Sequence, residues 1–306
     1  MKILITGASG FVGKHLVNEL NYMKDISIVV VGKELLNVSA DLTAKNALRK
    51  ALSGSDVVIH LAARVHIMQD KSANPLAVFR IVNVDATLNL ARQLAAAGVK
   101  RFIFLSSIKV NGEFTLPGLP FTAYDANPQD PYGISKYEAE VGLHKIAAET
   151  GMQVVIIRPP LIYGTGVKAN FASLLRMVKY GMPLPLGAIT QNRRSFVALD
   201  NLIDLIITCI NHPNAADQTF LVSDDEDVST TDLLRKMAVA QGVSNRLLPV
   251  PVALLNSCAK LFGKQAIAHR LLGNLQVDIS HTQKLLNWQP IISLDEGLRR
   301  AVINFK

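Results

Sequence analysis

Tyr132 and Lys136 stand four residues apart in Pro131-Tyr132-Gly133-Ile134-Ser135-Lys136, a stretch that continues as a helical pattern to about Thr150. On a helix this spacing stacks the two side chains on one face, one turn apart, with Glu140 on the same stripe. A neighbouring ammonium favours a phenolate, so the spacing predicts a tyrosine pKa lowered from about 10 towards neutrality. Such a phenol can exchange a proton with an alcohol or sugar hydroxyl while a hydride leaves the same carbon. Tyr-x-x-x-Lys is also a common string, equally at home as two ordinary residues at a helix start. Other residues must single it out.

The first of these lie at the N-terminus. Lys2–Thr6 reads as a short buried strand and runs into Gly7-Ala8-Ser9-Gly10-Phe11-Val12-Gly13, where a helix from about Phe11 to Asn21 begins. Glycines so placed let the backbone turn tightly and approach a pyrophosphate, which the helix N-terminus then receives on free N–H groups. Gly13-Lys14 invites comparison with a P-loop. That reading fails because Ala8 replaces its first glycine and His15 its magnesium-binding hydroxyl. A second strand, Ser27–Val31, ends in Gly32-Lys33-Glu34. Lys33 suits a ribose 2′-phosphate and so NADP, while Glu34 keeps NAD open. Asp41 and Leu42 are candidates to flank the adenine.

Alternating elements must carry these residues to one place. Asp56–Ala63 reads as a third strand whose small closing residues, Ala62 and Ala63, let a ligand lie against the backbone. His60 heads no metal motif and reads as structural. A long helix spans about Pro75 to Ala97 and carries Asn83. Arg101–Ser107 is a fourth strand; a hydroxyl at its end, Ser106 or Ser107, could hydrogen-bond the oxygen at a reacting carbon, or the pair could simply close the strand. Gln153–Arg158 is a fifth, closed by Pro159. This alternation is that of an α/β, Rossmann-type doubly wound parallel sheet. Past Gly166 the elements shorten, which places a dinucleotide-binding domain at 1–165 and a smaller C-terminal α/β substrate domain at 166–306. Some of the latter's strands are expected to return to the main sheet.

Composition narrows the class. The chain has 306 residues, 49% of them hydrophobic and 18% charged, enough to bury a large core. Its net charge of +8 is scattered, without the basic–aromatic interleaving of a nucleic-acid groove, and suits small anionic ligands such as nucleotide diphosphates. The apolar run after Met1 is too short for a signal peptide and no segment reaches membrane-span length, so a cytoplasmic protein is expected. Cys209 and Cys258 have no metal-ligand spacing and read as buried free thiols. The acidic run 224–227 reads as a solvated loop preceding a helix cap at Ser229, and no metal site is expected. The apolar stretch 247–262 fits core better than a membrane-surface face.

Together, the glycine triplet, His60-Leu61-Ala62-Ala63, Asn83-Val84, Phe104-Leu105-Ser106-Ser107, Tyr132-x-x-x-Lys136, Arg158-Pro159, Arg194–Val197 and Leu285–Pro290 resemble the extended short-chain dehydrogenase/reductase family. Within it the chain is similar to the nucleotide-sugar epimerase/dehydratase branch over its whole length. The resemblance implies Tyr132 as general acid/base. It implies Lys136 as the residue that holds the nicotinamide ribose and lowers the tyrosine pKa, and Ser107 as the third catalytic residue. It implies an NADP or NAD site of Gly7, Ser9, Gly10, Phe11, Val12, Gly13, Lys33, Asp41, Leu42, Leu61, Ala62, Ala63, Asn83, Tyr132, Lys136 and Pro159, with NADP slightly favoured. Arg194, Arg270, Asn170 and Ser107 would meet a UDP-linked substrate. Helices near 75–97 and 132–150 would pair in a homodimer.

Departures from the family matter too. Ile108 and Lys109 stand where its 4,6-dehydratases carry an Asp-Glu pair, so dehydration is not expected. Leu161 replaces a common asparagine. A 4-ketoreductase and a 4-epimerase both survive, with a slight lean to the reductase from Gly32-Lys33. The segments Ser107–Gly112 and Arg270–Leu275 resemble relatives that serve O-antigen and surface-polysaccharide synthesis, which suggests a UDP-N-acetylhexosamine or its 4-keto-6-deoxy derivative. A non-catalytic dinucleotide-binding or redox-sensing protein on the same fold is the alternative from another class.

Overall fold

The computed structural model describes residues 1–32, 53–65, 74–303 and 305; Lys33, Glu34, Asp41 and Leu42 lie outside the described residues. Six parallel strands form the central sheet in the order β2-β1-β3-β4-β5-β8. They are β1 (Lys2–Thr6), β2 (Ser27–Val31), β3 (Val57–His60), β4 (Arg101–Leu105), β5 (Gln153–Arg158) and β8 (Thr219–Leu221). A separate parallel pair joins β6 (Leu161–Tyr163) to β7 (Phe196–Ala198).

The strands inside the edge strand β2 are apolar on both sides because both faces are covered, as a parallel sheet requires. Ile3, Ile5, Val57, Ile59, Ile103, Val155 and Ile157 join one core with Leu16 and Leu20 of α1 (Phe11–Asn21) and with Leu202 and Ile206 of α6 (Leu199–Asn211). The intervening residues Leu4, Val58, Phe102, Phe104, Val154 and Ile156 meet α3 (Ala86–Ala96) and α4 (Pro131–Thr150) through Leu90, Leu94, Leu143 and Ile146. A third core, with Phe171 of α5 (Ala169–Lys179), Phe196, Leu234 of α7 (Thr230–Ala240) and Leu298 of α11 (Leu294–Val302), holds the C-terminal part together.

The C-terminal half also contributes to the main sheet: β8 pairs with β5, and α6 covers the sheet's first face. Arg101 fastens α6 there. Its guanidinium donates to the carbonyls of Cys209 (2.8 Å), Ile210 (3.0 Å) and His212 (3.0 Å), placing a cation on the negative end of the helix.

Four sequence expectations change. The helix expected over 75–97 is interrupted: α2 (Pro75–Arg80) passes through a π-turn, Ile81–Asp85, before α3, and Asn83 lies in that turn. The acidic run is not simply a solvated loop. Asp224 is buried, and accepts hydrogen bonds from the Tyr163 hydroxyl, the Ala198 N–H and the Asn201 amide, each at 2.7 Å. Cys209 is buried but Cys258 is exposed. Finally, α8 (Val252–Leu261), in the stretch assigned to core, has no buried residue; nor does α9 (Gln265–Leu272) after it. A further short helix, α10 (Ser280–Leu286), leads to the C-terminal segment.

Candidate active site

Every strand of a parallel sheet delivers its C-terminal end to the same edge. That edge gathers the glycine turn after β1, Leu61–Ala63 after β3, Ser106-Ser107 after β4 and Pro159 after β5. The Gly10 N–H donates to the Gly7 carbonyl at 2.9 Å, closing a tight turn in which Gly7 has φ of +72°. A side chain would not fit: a Cβ on Gly7 would stand 2.6 Å from the Ala62 nitrogen, and one on Gly13 would stand 2.2 Å from the Gly7 oxygen. The first turn of α1 has no side-chain cap and no acidic residue. Its N–H groups and positive dipole end therefore remain available to an anion, and the loop fits a dinucleotide pyrophosphate. Ser9 and Gly10 are exposed at its rim, whereas the Val12 side chain is in the core, so only its backbone can serve a ligand.

The polar residues behind the loop are locked. His60 is buried between Thr6 Oγ1 (2.8 Å from Nδ1) and Thr87 Oγ1 (3.0 Å from Nε2). Burial first, then the Lys136 charge, pushes its pKa down to about 3, so the ring is neutral. Asn83 accepts from the Arg64 N–H at 2.8 Å and donates to the Arg64 carbonyl (3.1 Å) and to Ser135 Oγ (3.0 Å). Ser135 in turn donates to the Tyr132 carbonyl at 2.8 Å. The π-turn thereby ties the segment after β3 to the first turn of α4. π-turns recur at functional sites because they re-aim one side chain within a helix.

Pro131 at the first helical position and the Asp130 carboxylate, accepting from the Gly133 N–H at 2.6 Å, start α4. Tyr132 follows, its phenol beside Ser107 and edge-on to the Phe79 ring at 5.9 Å. The Lys136 Nζ donates to the Leu105 carbonyl at 2.7 Å and lies 4.0 Å over the Phe104 ring. The three expected catalytic side chains are therefore brought together.

Their expected electrostatics are reversed. Burial pushes the Tyr132 phenol up to about 12, a rise opposed by the Ser107 hydrogen bond and aided by Asp130. Lys136 does not lower it: burial drops the lysine itself to about 7, with Glu140 pulling the other way, and one of its N–H groups is engaged by the Leu105 carbonyl. At neutral pH the phenol is protonated and the amine is near its midpoint.

Sequence reading did not place the support beneath these residues in the site. Glu140 and Arg158, both nearly fully buried, form an ion pair at 2.6 Å. Ser106 donates to the same carboxylate, and Arg158 donates to Asn111 Oδ1 (3.2 Å) and to the Asp125 carbonyl (2.9 Å). Of the serine pair, then, Ser107 faces the tyrosine and Ser106 the buried ion pair. The signal available was Glu140 on the Tyr132–Lys136 stripe and the Arg158-Pro159 motif.

Of the expected substrate residues, Arg194 and Arg270 converge. Arg194 donates to the Gly273 carbonyl at 3.2 Å, and its pKa falls to about 10 through burial and then through the nearby Arg270. Arg270 is near enough for its charge to act on Arg194, and guanidinium forks suit phosphate oxygens. Asn170 is exposed at the start of α5, and no hydrogen bond among the described residues links it to either arginine.

Residues 3–223 match the NAD dependent epimerase/dehydratase family. The chain is 50% identical to a UDP-glucose 4-epimerase of Vibrio cholerae, over 99% of this chain and 95% of that one. Among solved structures, RMD from Pseudomonas aeruginosa complexed with NADPH superposes with a TM-score of 0.77 at 22% identity, covering 100% of this chain and 99% of that one. UDP-glucuronic acid 4-epimerase from Bacillus cereus in complex with NAD gives 0.77 at 21% identity, covering 100% and 98%. At that identity the two structures establish the shared fold.

Proposed function

The chain belongs to the NAD dependent epimerase/dehydratase family, and from that premise we propose that it inverts C4 of a UDP-linked hexose. The observation that carries the reading is the placing of the Tyr132 phenol beside Ser107 with Lys136 one turn further along α4, at the sheet edge that holds the glycine cradle. The half-identical UDP-glucose 4-epimerase supports the choice of reaction.

A bound nicotinamide dinucleotide would supply hydride acceptance from C4 and its return to the opposite face. The chain's residues supply the rest. Tyr132 exchanges the proton of the C4 oxygen, and Ser107, beside the phenol, orients that oxygen. Lys136 holds the nicotinamide ribose, and Asn83 fixes the segment after β3 against α4. The glycine loop carries the pyrophosphate, with Leu61, Ala62, Ala63 and Pro159 forming the neighbouring wall. Arg194 and Arg270 clasp the substrate diphosphate. Dehydration is disfavoured: Ile108 is buried in the core, and Lys109 is paired with Glu113 (2.5 Å) and Asp130 (3.2 Å).

A second reading is the one-way 4-ketoreductase, supported by a solved neighbour that is complexed with NADPH. There the Tyr132 phenol would donate its proton to a ketone oxygen. The sequence-based lean to that reading rested on Lys33, outside the described residues, so it carries less weight than the epimerase relative. The acetamido substrate and the surface-polysaccharide role stay attached to the resemblance of Ser107–Gly112 and Arg270–Leu275.

The test is an assay of UDP-glucose and UDP-N-acetylglucosamine side by side, reading the C4 epimer and the nicotinamide absorbance. Epimerisation leaves the absorbance unchanged, while a ketoreductase given a 4-keto sugar consumes one reduced cofactor per turnover. Tyr132→Phe should lose about 10²- to 10⁴-fold in turnover and keep dinucleotide binding. Full activity in that variant would remove Tyr132 from the proposed mechanism.

A further inference from the structure

Residues 233–277 contain no Asp or Glu. Within them α8 and α9 form a hairpin around Gly263, which has φ of +63°. On α8, Leu255 and Ala259 are half-buried and Leu255 packs against the C-terminal core. An adjoining apolar stripe, Leu254, Cys258, Leu261 and Phe262, follows the i, i+4, i+7, i+8 spacing of one helical face and stays in solvent. Leu254 is 54% exposed, Leu261 81% and Phe262 71%, with Ile267 of α9 at 53%. The helix is therefore apolar over a wide arc of which the protein covers only one side. Lys260 and Lys264 bracket the Leu261-Phe262 tip, and neither is in an ion pair among the described residues.

We propose that this hairpin docks the protein on an anionic lipid surface. Leu261 and Phe262 enter the boundary between headgroups and acyl chains, and Lys260 and Lys264 meet the lipid phosphates. The charge pattern selects this occupant. An apolar tip between two lysines, on a segment without acids, matches a surface that is negative above and apolar below. A second copy seated on the same face would set patch against patch, since a two-fold contact is self-complementary, and residues 233–277 hold no acid to pair Lys260 and Lys264 there. No helix among the described residues is long and apolar enough to cross a membrane, so the association is at the surface. The far end of the hairpin is tied to the candidate substrate residues: Asn192 donates to the Leu271 carbonyl (3.2 Å) and Arg194 to that of Gly273 (3.2 Å).

The full chain is mixed with vesicles of phosphatidylcholine alone or of an equimolar phosphatidylglycerol–phosphatidylcholine mixture, and the vesicles are pelleted. Wild-type protein should pellet with the anionic vesicles only, and less as salt rises. The Leu261→Ser/Phe262→Ser double variant should lose about tenfold or more in partitioning while keeping its turnover and unfolding temperature. Lys260→Gln/Lys264→Gln should weaken binding and flatten its salt dependence. A wild-type protein that stays in the supernatant with anionic vesicles at low salt overturns the proposal. So does a tip variant that binds as well as wild type. Sedimentation velocity gives a third route: a dimer that dissolves in the tip variant would assign this face to a second copy instead.

Discussion

Lys136 is a cation placed where a cation is costly. It is 1% exposed, bonded to one carbonyl and stacked on one ring, and its pKa falls from the ordinary 10.5 to about 7. The unfolded chain holds this proton between about pH 7 and 10.5 while the native protein does not. Stability therefore rises with pH across that window as far as this residue is concerned. Lys136→Met should remove the slope. In urea unfolding at about pH 6 and about pH 9, wild type should gain stability relative to the variant at the higher pH. Equal shifts in both proteins would mean that the lysine keeps its charge in the fold. Beside it, Glu140 and Arg158 satisfy each other and Ser106, which is the condition for keeping charge at such depth.

At the scale of elements, α4 must both carry Tyr132 and lie close to the turn that carries Ser107. Gly133 permits this approach: a Cβ there would stand 2.5 Å from the Lys109 oxygen. Helix propensity alone favours alanine over glycine by about 1 kcal/mol. Packing opposes it, since the clash is with backbone and overpacking costs about 1–3 kcal/mol. Packing should win. Gly133→Ala is expected to lower stability by about 1 kcal/mol net or more, and to lower turnover by more than that loss explains, because α4 is lifted away from Ser107. Urea unfolding paired with the epimerase assay reads both; a more stable, fully active variant would show that the turn simply moves aside.

At the scale of the molecule, the sheet is not completed by the first 165 residues. The strand next to β5 is β8, and the α6 carbonyls that satisfy Arg101 come from Cys209, Ile210 and His212. We expect a chain ended at residue 165 to leave the β5 edge unpaired, the Ile3–Ile5 face partly bare and the Arg101 guanidinium with Gln153 but without its three carbonyl acceptors. Such a fragment should aggregate or lack a cooperative unfolding transition by circular dichroism, whereas a chain ended near 223 should retain more of the sheet. A cooperatively folding 1–165 fragment would restore an independent dinucleotide-binding unit.

Local order fixed what depends on neighbours in the chain. Alternation of strand and helix, glycines at 7, 10 and 13, and the four-residue step from Tyr132 to Lys136 were legible because each is a backbone requirement or a helical period. The parallel sheet followed from them, whereas the grouping of Ser107 with Tyr132 and Lys136 was implied by the family resemblance. Only the tertiary structure decided how charged those groups are, since burial depends on atoms distant in sequence. It raised Tyr132 where the spacing alone predicted a fall. It also decided which serine meets which partner, and that Asp224 is inside while Phe262 is outside. An apolar stretch such as 247–262 has the same hydropathy whether or not a surface covers it; only the packing of the rest of the chain shows that Leu247 and Leu255 meet the C-terminal core while Leu254, Leu261 and Phe262 stay exposed.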